Sequence, residues 1–337
     1  MILVAGEALI DMLPVPGRQL QFDARPGGAA CSVAVGLARL GRETGFLGRI
    51  GADTFASLLR KRLEDAGVDL SMVVPASEPT TLGINTIDGH GKAEYSFYAN
   101  GTADWQWAES EVPQVLPAAT RALYTGGLAL RFLPGATVLE GLMRRTREQG
   151  KALIFFDPNV RSGSGFMADA ERSRVERQLE FAHVVKASDD DIALLYPGRE
   201  YREIAAEWQR KTSGTIIVTL GAEGAYALTA GGFEITAAAV PAKVVDTVGA
   251  GDAFAAALLD SLADELPRDT DPAASLQRIG IDATRSLLER ACISAAFTCE
   301  HAGAECADAR TLDDLVKRAQ QGQHSPATSS LPPRERQ

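Results

Sequence analysis

Features that would assign this 337-residue chain to several common protein classes are scarce or missing. The cysteines are too few and too scattered for a disulfide scaffold, and no CxxC or HExxH spacing offers a zinc site; they are Cys31, Cys292, Cys299 and Cys306. No apolar run approaches the roughly 20 residues of a membrane-spanning helix. The first residues lack a basic leader and include Glu7 and Asp11, so we predict no signal peptide. These absences predict a cytoplasmic protein with reduced cysteines and no membrane partner.

Basic residues are also in the minority. The chain has 34 Lys and Arg against 44 Asp and Glu, which gives a formal net charge of −10. This balance argues against nucleic acid or an anionic membrane as the main partner. Because 45% of the residues are hydrophobic and 23% are charged, the chain can bury one large core or two smaller ones.

The apolar segments that are present alternate with amphipathic ones. Predicted core strands lie at 2–5, 46–50, 122–127, 152–157, 183–188 and 215–220. Predicted helices lie at 29–40, 54–66, 135–149, 168–181, 189–196, 200–211, 251–264 and 274–300. Strands separated by helices are typical of α/β proteins, so we expect a doubly wound, mainly parallel sheet flanked by helices.

Two extended segments interrupt this alternation, at 9–22 and 80–101. The second carries DGHGK (88–92) between alternating runs, which indicates a hairpin turn. Neither segment is followed by a helix, so they predict a small β-sheet that covers a ligand as a lid, although a plain surface hairpin has the same pattern. The last residues, 321–337, are polar and rich in Pro and Ser, and they predict a disordered tail.

The stretch DTVGAGDAFAAALLDSL (246–262) places two glycines directly before an apolar helix. Phe254, Ala257, Leu258 and Leu262 recur at helical spacing. Gly249 and Gly251 then stand where the helix begins, and the bare N–H groups of a helix start can bind an anion such as phosphate. An ordinary loop that enters a helix, with Asp252 as a first-turn acid, would have the same local pattern.

Six landmarks in one order decide between these interpretations. They are GEALIDM (6–12), GGAACSVAVGLARLG (27–41), FDPNVR (156–161), KASDDD (186–191), VTLGAEGA (218–225) and DTVGAGDAF (246–254). Together they resemble the PfkB (ribokinase-like) family of carbohydrate kinases, from about residue 2 to residue 318. The resemblance implies one kinase domain over 1–320, which transfers the γ-phosphoryl group of ATP to a sugar hydroxyl.

The resemblance also implies catalytic roles. Asp252 corresponds to the residue that accepts the proton of the attacking hydroxyl, and the N–H groups of Gly249, Ala250 and Gly251 correspond to an anion hole for the transferring phosphate. Because a carboxylate at a helix N-terminus is stabilised by the helix dipole, we expect Asp252 to stay ionised near neutral pH.

On the sugar side, Gly27 and Gly28 match the pair that the sugar approaches closely, and Asp11 matches the carboxylate that accepts bonds from sugar hydroxyls. Ser32 departs from the family, which often has Asn there, and it shortens the polar reach. Arg161 resembles the substrate-contacting arginine of fructokinases and 2-keto-3-deoxygluconate kinases, although a surface ion pair is its ordinary alternative.

The nucleotide-binding residues are implied in the same way; they are Lys186, Ser188, Thr219, Gly221, Gly224, Thr247 and Gly303. KASDDD stands in place of an Asn-x-x-Glu motif that tunes magnesium and phosphate, so Ser188 replaces Asn and Asp191, a candidate Mg²⁺ residue, replaces Glu. Asp246 is a candidate for the K⁺ that some relatives bind. A homodimer through the lid is expected, since lid strands often pair in this family.

GEALIDM, GGAACSVAVGLARLG and FYANGTADWQW favour the fructokinase group, with a neutral sugar such as D-fructose. Alternatives are 2-keto-3-deoxygluconate kinase, ribokinase, adenosine kinase and a catalytically idle nucleotide-binding protein. The acidic sugar calls for a lid cation where this chain has Ala99. A dehydrogenase is disfavoured because the first strand leads into AGEALID rather than GxGxxG, and no GxxxxGK[ST] indicates a P-loop kinase.

Overall fold

The computed structural model describes residues 1–15, 17–18, 21–87, 93–161, 167–267 and 270–322. Its strands are β1 (Ile2–Ala5), β2 (Leu9–Pro14), β3 (Phe22–Gly27), β4 (Thr44–Leu47), β5 (Arg49–Ile50), β6 (Val74–Pro75), β7 (Leu82–Ile87), β8 (Ala93–Tyr98), β9 (Ala122–Gly126), β10 (Leu153–Asp157), β11 (Val184–Ser188), β12 (Thr215–Thr219), β13 (Ala225–Leu228) and β14 (Glu234–Ala237). Its α-helices are α1 (Ala29–Arg39), α2 (Thr54–Asp65), α3 (Gly135–Gln149), α4 (Ala168–Leu179), α5 (Asp189–Leu195), α6 (Tyr201–Thr212), α7 (Ala250–Glu265), α8 (Pro272–Leu276), α9 (Ile281–Cys299) and α10 (Ala309–Gln320). Within these ranges no helix combines the length and the apolar character that a bilayer crossing requires.

Eight strands form the central sheet in the order β14-β13-β12-β11-β10-β9-β1-β4. All neighbours from β12 to β4 pair in parallel, which confirms the predicted doubly wound sheet. β13 and β14 extend one edge as an antiparallel hairpin. This hairpin was not predicted from the sequence, because strands of four residues are too short to show a clear alternation of apolar and polar residues.

Both faces of the central sheet are covered. Side chains alternate along a strand, so Ile2 and Val4 join one core cluster while Leu3 and Ala5 join the other. Helices α1, α7 and α9 supply the first cluster, and α3, α4 and α6 supply the second. α1 and α7 pack closely through small residues, since a Cβ built on Gly36 would lie 2.9 Å from Ala256 Cβ.

Two predicted elements are divided in the structure, and one helix was not predicted. The predicted strand 46–50 is split, because β4 stays in the central sheet while β5 pairs with β6 in a separate two-stranded sheet. The predicted helix 274–300 is two helices: Asp271 caps α8 through the Ala273 N–H at 3.1 Å, and Gly280 is the N-cap of α9. Helix α10 was not predicted. Asp308 caps its start by accepting the Thr311 N–H at 2.8 Å.

The lid is a four-stranded sheet in the order β3-β2-β7-β8. The predicted segment 9–22 is therefore not one extended piece, since β2 pairs antiparallel with β3, which continues to Gly27. In the second segment β7 and β8 pair antiparallel, whereas the predicted DGHGK turn lies outside the described residues, as does the predicted tail from residue 323 on.

Candidate active site

A cleft of about 830 Å³ lies where the carboxyl ends of the parallel strands meet the lid, which is the usual ligand position in open α/β sheets. Every predicted site residue except Asp246 lines it; they are Asp11, Gly27, Gly28, Ser32, Arg161, Lys186, Ser188, Asp191, Thr219, Gly221, Gly224, Thr247, Gly249, Ala250, Gly251, Asp252 and Gly303. The fold thus brings together residues that are more than 290 positions apart in the sequence.

The glycine-rich loop forms the N-terminus of α7. Gly249 has a φ of 82°, a left-handed conformation that glycine adopts without strain, and a Cβ there would lie 2.3 Å from Ala304 Cβ. The Ala250 N–H donates to the Thr247 carbonyl at 3.3 Å. Among the described residues the N–H groups of Gly249 and Gly251 have no acceptor. These two donors point to an anion-binding helix start.

Asp252 stands in the first turn of α7, and no described residue donates a hydrogen bond to its carboxylate. Burial raises the pKa of Asp252 from 3.8 to about 7, while the Lys186 ammonium acts to lower it. Desolvation therefore outweighs the helix dipole, and Asp252 is only partly ionised near neutral pH rather than fully ionised as expected. Asp252 is therefore poised to exchange a proton at physiological pH.

A buried cation lies directly behind the loop. Lys186 ends inside the protein, 3.0 Å from Asp157 Oδ2, and both side chains are buried. Burial acts to lower the pKa of Lys186, but the carboxylates of Asp157, Asp191 and Asp252 raise it overall, so the ammonium stays charged. A Cβ built on Gly251 would lie 3.1 Å from Lys186 Nζ. Asp157 was not predicted as a site residue, although its position at the end of the buried strand in FDPNVR indicates that it lies at the edge of the sheet where ligands bind.

The side of the cleft that β2 and β3 form contains a second carboxylate, Asp11. Burial raises the pKa of Asp11 to about 6, and the charges of Arg161 and Arg62 oppose the rise. A Cβ on Gly27 would lie 1.9 Å from Asp11 Oδ2, so only glycine leaves the carboxylate its space. Arg62, which the sequence analysis does not single out, donates to the Pro26 carbonyl at 2.6 Å and holds this loop.

Two buried acids to which no role was assigned from the sequence lie near Asp11 and the glycine pair. Glu7 accepts the N–H groups of Ala29 at 3.1 Å and Ala129 at 3.2 Å, and Asp104 accepts the Ala8 N–H at 2.9 Å. Burial raises the pKa of Glu7 to about 7 and that of Asp104 to about 6. Glu7 lines the cleft and fixes the start of α1 directly after the glycine pair.

The two predicted metal residues are both engaged by the backbone. Asp191 accepts the N–H groups of Val160 and Ser188, each at 2.7 Å, while Ser188 Oγ accepts the Asp191 N–H, so the pair caps α5. Asp246 accepts the N–H groups of Val248 and Gly303, each at 3.0 Å. Asp246 therefore ties the glycine-rich loop to the loop around Gly303. Within the described ranges no three His, Cys, Asp or Glu residues form a preformed metal cluster.

The lid has a cation that the sequence analysis does not predict. Ala99 is buried beyond the end of β8, but Arg25 in β3 lines the cleft. The absence of a basic residue at position 99 therefore does not leave the lid without a cation that faces the cleft.

Known proteins are similar to this chain in architecture and in sequence. A family model described as pfkB family carbohydrate kinase matches residues 1–310. The chain is 34% identical to a fructokinase of Rhizobium leguminosarum bv. trifolii over 266 residues, 78% of this chain and 79% of that relative. A fructokinase structure from Xylella fastidiosa with bound ATP matches with a TM-score of 0.83 and 26% identity, over 95% of this chain and 98% of that one. A Vibrio cholerae O395 fructokinase with fructose, ADP and calcium bound matches with a TM-score of 0.76 and 26% identity, over 94% and 97% of the two chains. The chain belongs to the pfkB family of carbohydrate kinases.

Proposed function

We propose that this chain is an ATP-dependent fructokinase that transfers the γ-phosphoryl group of ATP to a hydroxyl of D-fructose. The observation that carries the proposal is the start of α7, where the unbonded N–H groups of Gly249 and Gly251 lie beside the unbonded carboxylate of Asp252, within the part of the chain that the structure describes. The relative named fructokinase and the neighbour with bound fructose and ADP support fructose as the acceptor.

In the proposed reaction, the hydroxyl oxygen of fructose attacks the γ-phosphorus and the bond to the oxygen that leaves with ADP breaks. Asp252 takes the hydroxyl proton, and its pKa of about 7 makes it a stronger base than an ordinary carboxylate. The N–H groups of Gly249 and Gly251 stabilise the charge on the transferring group. Lys186, held by Asp157, adds a fixed positive charge behind the same loop.

Binding of the two substrates would divide the cleft. Asp11, with a pKa of about 6, is mostly ionised at neutral pH and can accept hydrogen bonds from fructose hydroxyls, with Gly27, Gly28, Ser32 and Arg161 around it. We assign the other side to ATP. The residues proposed for that side are Lys186, Ser188, Thr219, Gly221, Gly224, Thr247 and Gly303.

Magnesium enters the proposed reaction as part of the substrate MgATP. Mg²⁺ in such sites is held by phosphates, waters and one or two carboxylates. Asp191 would supply such a carboxylate, and the backbone N–H groups that its two oxygens accept would hold it beside the end of β11. Asp246 as a K⁺ residue stays a prediction, which the dependence of the rate on KCl would test.

A second candidate function is 2-keto-3-deoxygluconate kinase. It is favoured by Arg161, a cation that lines the cleft and could pair with the carboxylate of an acidic sugar. Ribokinase, adenosine kinase and an idle nucleotide-binding protein are the remaining alternatives within this fold.

The function is tested by a coupled ADP-release assay with MgATP and a panel of acceptors. D-fructose should give a higher kcat/KM than ribose, adenosine or 2-keto-3-deoxygluconate. A higher kcat/KM for 2-keto-3-deoxygluconate would establish the second candidate instead. ADP release with none of the sugars, together with intact ATP binding, would identify an idle binding protein.

We also propose a cytoplasmic homodimer that forms through the lid and binds neither nucleic acid nor membranes. β8 is the last strand of the described lid sheet, and Tyr98 on it is 64% exposed. An unpaired strand edge readily pairs with another chain. Sedimentation velocity across a range of protein concentrations would test the dimer.

A further inference from the structure

Arg25 lies on the inner face of the lid. In the antiparallel pairing of β2 and β3, Arg25 is directly opposite Asp11, so the two side chains share one face of the sheet. Both line the cleft. Arg25 is thus a cation carried by the lid, in the same row as the carboxylate proposed to hold the sugar.

The Arg25 side chain extends away from the sugar side to the loop around Gly303. A Cβ built on Gly303 would lie 2.0 Å from Arg25 Nη1 and 3.3 Å from Arg25 Cδ. The Gly303 N–H is bonded to Asp246, which also accepts the Val248 N–H, and Gly249 packs against Ala304. The guanidinium therefore lies beside the loop that adjoins the two unbonded N–H groups at the start of α7.

The cations of the cleft differ in how firmly they are held. Among the described residues that line it, the Lys and Arg residues are Arg25, Arg161 and Lys186. Lys186 is buried against Asp157, and Arg161 acts on the pKa values of Asp11 and Asp252. The ion pair of Arg25 with Asp23, at 2.7 Å, has side chains that are 38% and 53% exposed, and such solvated pairs are weak and readily exchange partners.

We propose that Arg25 binds the phosphate chain of the nucleotide from the lid side. This inference rests on the proposed function, because it takes the loop of Gly249–Asp252 as the phosphate site. The planar guanidinium matches two phosphate oxygens at once, and bound phosphates would supply a stronger partner than the exposed Asp23. Arg25 acts on nucleotide binding, and it takes no part in proton transfer.

The experiment is titration calorimetry without sugar, using the magnesium complex of the β,γ-imido analogue of ATP and, separately, AMP. Arg25→Ala should weaken binding of the analogue by about 10-fold or more, as expected for a lost charge-assisted contact, and should change AMP binding less than about 3-fold. Arg25→Lys should recover part of the lost affinity, because lysine keeps the positive charge but lacks the paired N–H donors of the guanidinium.

Arg39→Ala is the matched control. Arg39 is 37% exposed and pairs with Glu305 next to the same loop, at 3.8 Å, but it does not line the cleft. Its removal should leave both affinities unchanged. An equal loss of affinity for AMP and the analogue in Arg25→Ala, or no loss for either ligand, would overturn the proposal. An effect of Arg25→Ala that is confined to kcat/KM for 2-keto-3-deoxygluconate would overturn it as well.

Because the calorimetry needs no sugar, it separates the two proposals. A wild-type protein that phosphorylates no sugar, yet binds the analogue in an Arg25-dependent manner, would refute the fructokinase function and leave the Arg25 assignment in place. Turnover of fructose, together with binding of the analogue that does not depend on Arg25, would support the fructokinase function and refute the Arg25 assignment.

Discussion

The ionisation of Asp252 shows how single residues in this cleft are governed by neighbours from distant parts of the chain. From the sequence, its place after Gly-Ala-Gly identifies it as an acid at a helix start. Its pKa of about 7 depends on burial and on Asp157 and Lys186, which arrive from two other strands. A local pattern cannot contain that information, so the role could be predicted and the protonation state could not.

We expect Asp252→Asn to stabilise the protein at pH 8. An acid whose folded pKa is raised binds its proton more tightly when folded, so its contribution to stability falls as pH rises from 3.8 towards about 7, and the cost is complete above that. Asn carries no such cost, so the variant should melt at a higher Tm than wild type at pH 8, with a smaller difference at pH 5.

Asp53→Asn serves as a control of opposite sign. Asp53 accepts the N–H groups of Ala56 and Thr80, each at 2.8 Å, and these hydrogen bonds hold its pKa below the ordinary value despite burial. Its charge therefore stabilises the fold above the unfolded pKa, and Asn should lower Tm at pH 8. Equal melting of wild type and Asp252→Asn at both pH values would contradict the raised pKa of Asp252.

Arg161→Ala should raise the KM for fructose far more than the KM for ATP. Arg161 lines the sugar side and its charge acts on Asp11, so its loss removes a charge-assisted contact that corresponds to roughly 10- to 100-fold. Steady-state kinetics with each substrate varied in turn would measure both constants. Unchanged fructose kinetics would show that Arg161 serves only as a structural residue.

At the scale of elements, local signals predicted the helices and strands of the central layers better than the pairing within the lid. Helix α3 begins and ends at the predicted residues 135–149, because its apolar spacing and Gly150 are all local. In the lid, β2 pairs with β7 across more than 60 residues, Asp11 with Gly83 for example, and no sequence window contains that pairing. The lid was therefore predicted to exist without its strand order, and β3 and the direction of Arg25 were not predicted.

The start of α7 offers a test at this scale, Gly251→Ala. Alanine is the better helix residue by about 0.5–1 kcal/mol, so the fold should be retained or stabilised. The added methyl would lie 3.1 Å from Lys186 Nζ and would displace the ammonium that supports the proposed phosphate site. We expect kcat to fall by about 10-fold or more, in line with the loss of one oxyanion donor or its supporting cation, with Tm unchanged or higher.

Gly141→Ala is the matched control for this substitution. Gly141 lies in α3, and its added Cβ would meet only the ends of the Arg145 and Glu109 side chains, at 3.2 and 3.7 Å. It should leave kcat unchanged. Full activity of Gly251→Ala would show that the backbone at this position does not approach the phosphate.

At the scale of the whole molecule, the order of six motifs along the chain predicted the architecture and the contents of the cleft. All but one of the predicted site residues line it, because motifs at the carboxyl ends of parallel strands converge on one edge of the sheet. Glu7, Asp104 and Asp157 were missed as site residues, since their burial and partners arise only when the strands and the lid are assembled. The preference for fructose depends on such assembled contacts.

The kcat of Asp252→Asn with fructose and MgATP tests whether this cleft phosphorylates fructose with Asp252 as the proton acceptor. Asn keeps the size of Asp and its fitness for a helix start, but it cannot accept the proton, an ability worth about 10² to 10⁴ in rate. We expect kcat to fall by at least about 100-fold, with a folded protein by thermal melting and an ATP Kd that is unchanged or slightly lower. A variant that keeps more than about a tenth of the wild-type kcat would contradict the assignment of Asp252.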